Sequence, residues 1–143
     1  MKIQYCSDLH LEFSENKSFL KSNPLKVVGD ILLLAGDIVP FTILDREKDF
    51  FDFCSDNFKH TYWIPGNHEY YSFDASFRSG KLKEEIRSNV TLLNNETVEL
   101  EGVKLIFTTL WSNISSKSSW YIQKRLSDFH VIKYDTGRFT PNH

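Results

Sequence analysis

The chain has 143 residues, 41% of them apolar and 15% aromatic, with a formal charge of -2 at pH 7. That length suits one globular domain with its own core, and scattered Lys and Arg with no basic stripe argue against a nucleic-acid-binding surface. The opening stretch MKIQYCSDLHLEF has no secretory h-region, and no apolar run reaches the roughly 18 residues that span a bilayer, so a cytoplasmic chain without a membrane segment is expected.

Strand-like and helix-like segments alternate along the chain. KIQYC (2–6) and DILLLAG (30–36) are short apolar runs that read as buried strands. EKDFFDFCSDNFKH (47–60) then places Phe50, Phe51, Cys54 and Phe58 on one helical face, and TYWIP (61–65) returns to strand character. In SGKLKEEIRSNV (79–90) the four-residue spacing of Leu82 and Ile86 predicts a second helix. TVELEGVKLIF (97–107) sets Glu101-Gly102 between two strand-like runs and predicts a hairpin added to the sheet, with its second strand reaching residue 111. From Ser112 the chain is Ser-rich, then weakly helical through WYIQKRL. Cys6 and Cys54 lie in apolar runs without C-x-x-C spacing and read as buried free thiols. The βαβα order predicts an α/β fold, a mixed β-sheet flanked by helices, in one domain over residues 1–143.

Three polar clusters fall at the carboxyl ends of three predicted strands: Asp8-Leu9-His10, Gly36-Asp37 and Gly66-Asn67-His68-Glu69. In open α/β sheets the ligand crevice lies outside those ends, so distant residues converge there. Asp30 also follows a glycine, but it opens its strand and belongs to the opposite edge. Singly, each cluster is commonplace: a turn cap, a βα loop, a Pro-Gly-Asn turn. Together, carboxylate, imidazole and amide groups at three strand ends predict a shared divalent-metal site, and the absence of thiolate suits Mn, Fe, Zn or Ni better than Ca or soft metals.

With these motifs, SDLHLEF, DILLLAGDIV and PGNHEYY, followed by TTLWS, the chain resembles the calcineurin-like metallophosphoesterase superfamily, in an uncharacterised bacterial branch. The resemblance implies a metallophosphoesterase α/β-sandwich that hydrolyses phosphate esters with a metal-bridging hydroxide. It implies that Asp8 and His10 bind a first metal, Asp37 bridges two, Asn67 binds the second, and His68 is the catalytic residue acting on the phosphate or leaving group. The chemistry suits these types: a bridging carboxylate offsets the repulsion of two cations, and an imidazole titrates where a departing alkoxide needs a proton.

The superfamily's later ligands, an isolated His after a strand and a G-H-x-H motif, have no counterpart before the terminal FTPNH. His60 precedes its strand, and His130 and His143 sit outside any such motif. The expectation is therefore the N-terminal part of the domain, with an incomplete second metal site and apolar surface that favours self-association into a homo-oligomer. Two function classes follow: a metal-dependent phosphoesterase, whose pocket Tyr70 and Trp111 could line, and a noncatalytic metal-binding half-domain that associates with a partner. A third reading, in which the polar strand ends only cap loops, predicts no metal.

Overall fold

The computed structural model describes residues 1–141. Its centre is a five-stranded sheet of β1 (Ile3–Cys6), β2 (Ile31–Ala35), β3 (His60–Ile64), β4 (Leu82–Arg87) and β5 (Val90–Asn94), in the order β1-β2-β3-β5-β4. β1, β2, β3 and β5 are mutually parallel, and β4 returns antiparallel along one edge. Cys6 pairs with Leu34 and Ala35 with Ile64, so the loops leaving β1, β2 and β3 emerge side by side.

Two helices make the first crossovers, α1 (Ser14–Ser22) between β1 and β2 and α2 (Lys48–Asn57) between β2 and β3. The pleat sorts side chains by alternation. Leu32, Leu34, Trp63, Val90 and Leu92 point to the face where Phe51 and Cys54 of α2 complete the main core. Ile31, Tyr62 and Leu93 point the other way and form a second cluster with Phe107. That second face is covered by a hairpin of β6 (Glu96–Leu100) and β7 (Val103–Phe107), through Val98, Leu100 and Leu105. Its turn has positive φ at both Glu101 (48°) and Gly102 (77°), the backbone that lets a two-residue loop follow strand twist.

The mixed sheet flanked by helices agrees with expectation; three local readings do not. Residues 82–87 form β4, because residues four apart share a face in a strand as well as in a helix, and the turn at Ser88-Asn89 folds the segment onto β5. The predicted hairpin forms but, among the described residues, pairs only with itself, packing on the sheet's face instead of extending its edge. Its second strand ends at Phe107, four residues short of 111. WYIQKRL lies mostly within α3 (Ser116–Arg125), followed by α4 (Asp128–Val131) and the short strands β8 (Lys133–Tyr134) and β9 (Gly137–Arg138).

Both cysteines are free thiols; Cys54 is buried and Cys6 partly so. Burial pushes Cys6 up to about 11 and Cys54 up to about 12. Among the described residues no helix is long and apolar enough to cross a membrane.

Candidate metal centre

The loops after β1 and β2 are stitched by backbone hydrogen bonds. Asp8 N donates to Gly36 O at 3.0 Å, His10 N to Asp37 O at 3.0 Å and Leu11 N to Ile38 O at 2.8 Å. Within this ladder Asp8, His10 and Asp37 all adopt left-handed backbone, with φ of 56°, 46° and 55°. Such conformations cost of order 1–3 kcal/mol each and persist only where their surroundings impose them. The result brings one ligand atom from each of the three side chains within 4.8 Å of the others.

The third loop docks through two glycines. Gly36 has φ of 91°, and a Cβ there would lie 3.0 Å from Gly66 Cα. A Cβ on Gly66 would run into Asp37 Oδ1 and come within 2.8 Å of Asp37 N. The absence of a side chain at 66 therefore makes room for the Asp37 carboxylate, whose Oδ1 accepts from His68 N at 3.0 Å.

Glu69, the last residue of the third cluster, is fully buried and performs a structural task. Its carboxylate accepts from Asp37 N at 2.9 Å, Ile38 N at 2.7 Å, Gly66 N at 2.7 Å and Trp63 Nε1 at 3.2 Å. Burial pushes its pKa up to about 7, although three backbone N–H groups pull the other way. One side chain thereby ties the end of β3 to the loop that carries Asp37.

Asn67 is oriented from a distance. Its Nδ2 donates to Asp128 Oδ1 at 2.8 Å, and Tyr71 OH donates to the same oxygen at 3.0 Å. A carboxylate only accepts, so the amide turns its NH₂ toward Asp128 and its Oδ1, a neutral oxygen acceptor, the other way. Burial, followed by Asp128, pushes the Tyr71 phenol up to about 12, so it remains a donor at neutral pH.

The His68 ring stacks on Tyr71, with centroids 4.2 Å apart and planes at 22°, and meets the His10 ring edge-on at 4.4 Å. The Nδ1 atoms of both histidines lie against one oxygen of Glu12, at 3.1 Å from His10 and 3.0 Å from His68. Beside Asn67 opens a cavity of about 560 Å³, lined by Tyr70, Trp111, Phe129, Phe139 and Asp128 among others. Tyr70 is otherwise a core residue, 2% exposed, with its hydroxyl donating to Arg78 O at 3.0 Å.

Of the predicted site residues, Asp8, His10 and Asp37 form one cluster, and His68 joins it through Asp37 Oδ1 and the His10 ring. Asn67 stands at the same loop with its amide set by Asp128. His60 opens β3 at the far end of the sheet and His130 is exposed on α4, so neither reaches the cluster; His143 lies outside the described residues. Asp30 is at the far end too, accepting from Lys2 N and facing Lys59. Glu12 and Asp128 carry no sequence signal of a role beyond Glu12 lying two residues after His10.

The donor set fits divalent cations: two carboxylates, an imidazole and an amide oxygen, without thiolate, in a cradle that a Cβ at residue 66 would fill. An uncharacterized protein of Acanthamoeba polyphaga mimivirus is 40% identical over 155 aligned positions, covering 96% of this chain and 54% of that protein. The chain thus spans about half the length of the curated relative it matches. The family model for calcineurin-like phosphoesterase matches residues 1–137. With that match spread across nearly the whole chain and the motif side chains gathered at one sheet end, the chain belongs to the calcineurin-like phosphoesterase family.

Proposed function

We propose that this chain carries the cation-binding half of a phosphoesterase active site. In this reading Asp8 and His10 would hold one divalent ion, Asp37 would be shared with a second, and Asn67 would offer that second ion a neutral oxygen, its ligand set being incomplete within these residues. The observation that carries it is the convergence of Asp8, His10 and Asp37, all on left-handed backbone, within 4.8 Å. Bound there, divalent ions of the Mn, Fe, Zn or Ni type would supply an acidified water and neutralise charge on a phosphoryl group.

The chain's own residues have distinct tasks. Asp37 keeps its Oδ1 fixed by the His68 N–H, which leaves the rest of the carboxylate to face ions. Asp128 holds the Asn67 amide with its oxygen turned the other way. His68, stacked on Tyr71, is the general acid that hands a proton to the departing alkoxide, and Tyr70 and Trp111 border the cavity that would receive the ester's leaving group. The substrate class is a phosphate ester. A cytoplasmic location and self-association of the chain belong to the same proposal.

His68→Ala tests the division of labour. It leaves ion binding within a few-fold of native while lowering phosphoesterase turnover by about 10²-fold or more. Loss of ion binding in that variant would instead make His68 a ligand. The noncatalytic alternative, a metal-binding half-domain, is favoured by the incomplete second ligand set; it predicts ion binding with no turnover in either protein.

A further inference from the structure

Beside Asp8, His10 and Asp37 stands a second grouping, His10, Glu12 and His68, with one ligand atom of each within 4.8 Å of the others, in which two imidazoles face one carboxylate oxygen. Glu12 Oε1 lies 3.1 Å from His10 Nδ1 and 3.0 Å from His68 Nδ1, while Glu12 Oε2 is buried with no hydrogen-bond partner among the described residues. The whole hydrogen-bonding capacity of Glu12 toward other side chains therefore goes to the two rings. All three side chains are largely shielded, with 17% exposure for Glu12, 20% for His10 and 25% for His68.

A carboxylate accepts and does not donate, so each Nδ1 facing it must carry the hydrogen. In a neutral imidazole the other nitrogen, Nε2, is then bare. Stacking cannot make this choice. The Tyr71 face under His68, at 4.2 Å and 22°, fixes the plane of the ring but is indifferent to a half-turn that exchanges its two edges. The edge-on His10–His68 contact likewise constrains angle and not tautomer. Among the described residues, the acceptor at Glu12 is what distinguishes Nδ1 from the opposite edge.

We propose that Glu12 is a positioning residue for both histidines. Through its shared oxygen it sets the Nδ1–H tautomer of the neutral His10 and His68 rings together, leaving the bare Nε2 of His10 for a cation and making Nε2 of His68 the nitrogen that must first take up the proton it later hands to a leaving group. What each Nε2 then does rests on the phosphoesterase reading above; the tautomer does not. A carboxylate behind a metal-binding histidine is a general device for fixing ring orientation, and its loss typically costs 10–100-fold in metal affinity or activity. Here a single residue, two positions after His10 and 56 before His68, serves both rings at once.

The test is nitrogen NMR of the metal-free, histidine-labelled chain at about pH 8, where ordinary histidines are neutral. Long-range ring correlations report which nitrogen carries the hydrogen. The native protein shows His10 and His68 in the Nδ1–H form. Glu12→Leu, which has no acceptor, lets both rings move to the Nε2–H form that imidazole favours in water, with the backbone amide spectrum otherwise preserved. Glu12→Gln, which keeps an acceptor oxygen, holds the native tautomer in at least one ring and binds Mn²⁺ within a few-fold of native.

Native rings already in the Nε2–H form, or tautomers unchanged in Glu12→Leu, would overturn the proposal. So would loss of Mn²⁺ binding in Glu12→Gln with native tautomers retained, because Glu12 would then be a ligand itself. None of these readouts requires turnover. A chain that hydrolyses nothing but shows the expected tautomers refutes the phosphoesterase reading and leaves the role of Glu12 standing.

Discussion

Asp8, His10 and Asp37 each hold a backbone conformation that their side chains disfavour, and each is kept there by a hydrogen bond to the neighbouring loop. The strain, of order 1–3 kcal/mol per residue, is what aims three short side chains at one point. Gly66 sits at the centre of this arrangement. Gly66→Ala drives a methyl into the Asp37 carboxylate and backbone, so it should destabilise the fold by about 1–3 kcal/mol and abolish ion binding. A thermal melt and an ion titration of that variant check both parts; native ion affinity would show that the carboxylate has room to move. That Asp8, His10, Asp37, Asn67 and His68 fall at neighbouring strand ends was legible in the sequence, because each sits within a few positions of an apolar strand that announces its own end. Glu12 and Asp128 were not. Asp128 lies 61 residues from the amide it orients, and nothing local in SDFHV marks it.

At the scale of elements, the parallel register of β1, β2 and β3 delivers the loops and Glu69 locks two of them together. Each of its oxygens receives two N–H groups. In Glu69→Gln an NH₂ replaces one oxygen and meets two donors, leaving both without acceptors. At about pH 8 that variant should lose roughly 2 kcal/mol or more, a fall of roughly 5 °C or more in Tm. An unchanged melt would mean that the clamp contributes nothing to holding β3 against the Asp37 loop. The motif quoted from sequence already contained Glu69, yet its position beside two candidate site residues gave no hint that it works inward. The misread segment 79–90 has an equally physical cause. Leu82 and Ile86 satisfy both a helix and a strand, and the decision belonged to β5, whose pairing no local pattern could show.

Among the described residues the central sheet ends in two open edges, β1 and β4, and a hairpin lies over one face. Among the described residues β1 pairs only with β2, and its outward side chains include Tyr5 at 78% exposure; on the hairpin, Ile106 is 72% exposed. Unpaired edges and exposed apolar side chains favour contact with another chain. Sedimentation of the 143-residue chain should therefore reveal dimers or larger species that grow with concentration. A strict monomer would contradict this. The layered α/β architecture was readable from alternation of strand-like and helix-like runs, because burial on two faces leaves continuous apolar strands. The placement of the hairpin was not, since a period of two says which residues face inward and not which surface they meet.

Asp8, His10, Asp37 and their neighbours are proposed to form a cation site. That site is tested most directly by calorimetric titration of the metal-stripped chain with Mn²⁺, beside Asp37→Asn under the same conditions. At least one ion should bind per native chain, with affinity reduced by about 10-fold or more when the shared carboxylate becomes an amide. No binding by the native chain, or equal binding by the variant, would mean that the three strand ends converge for structural reasons alone.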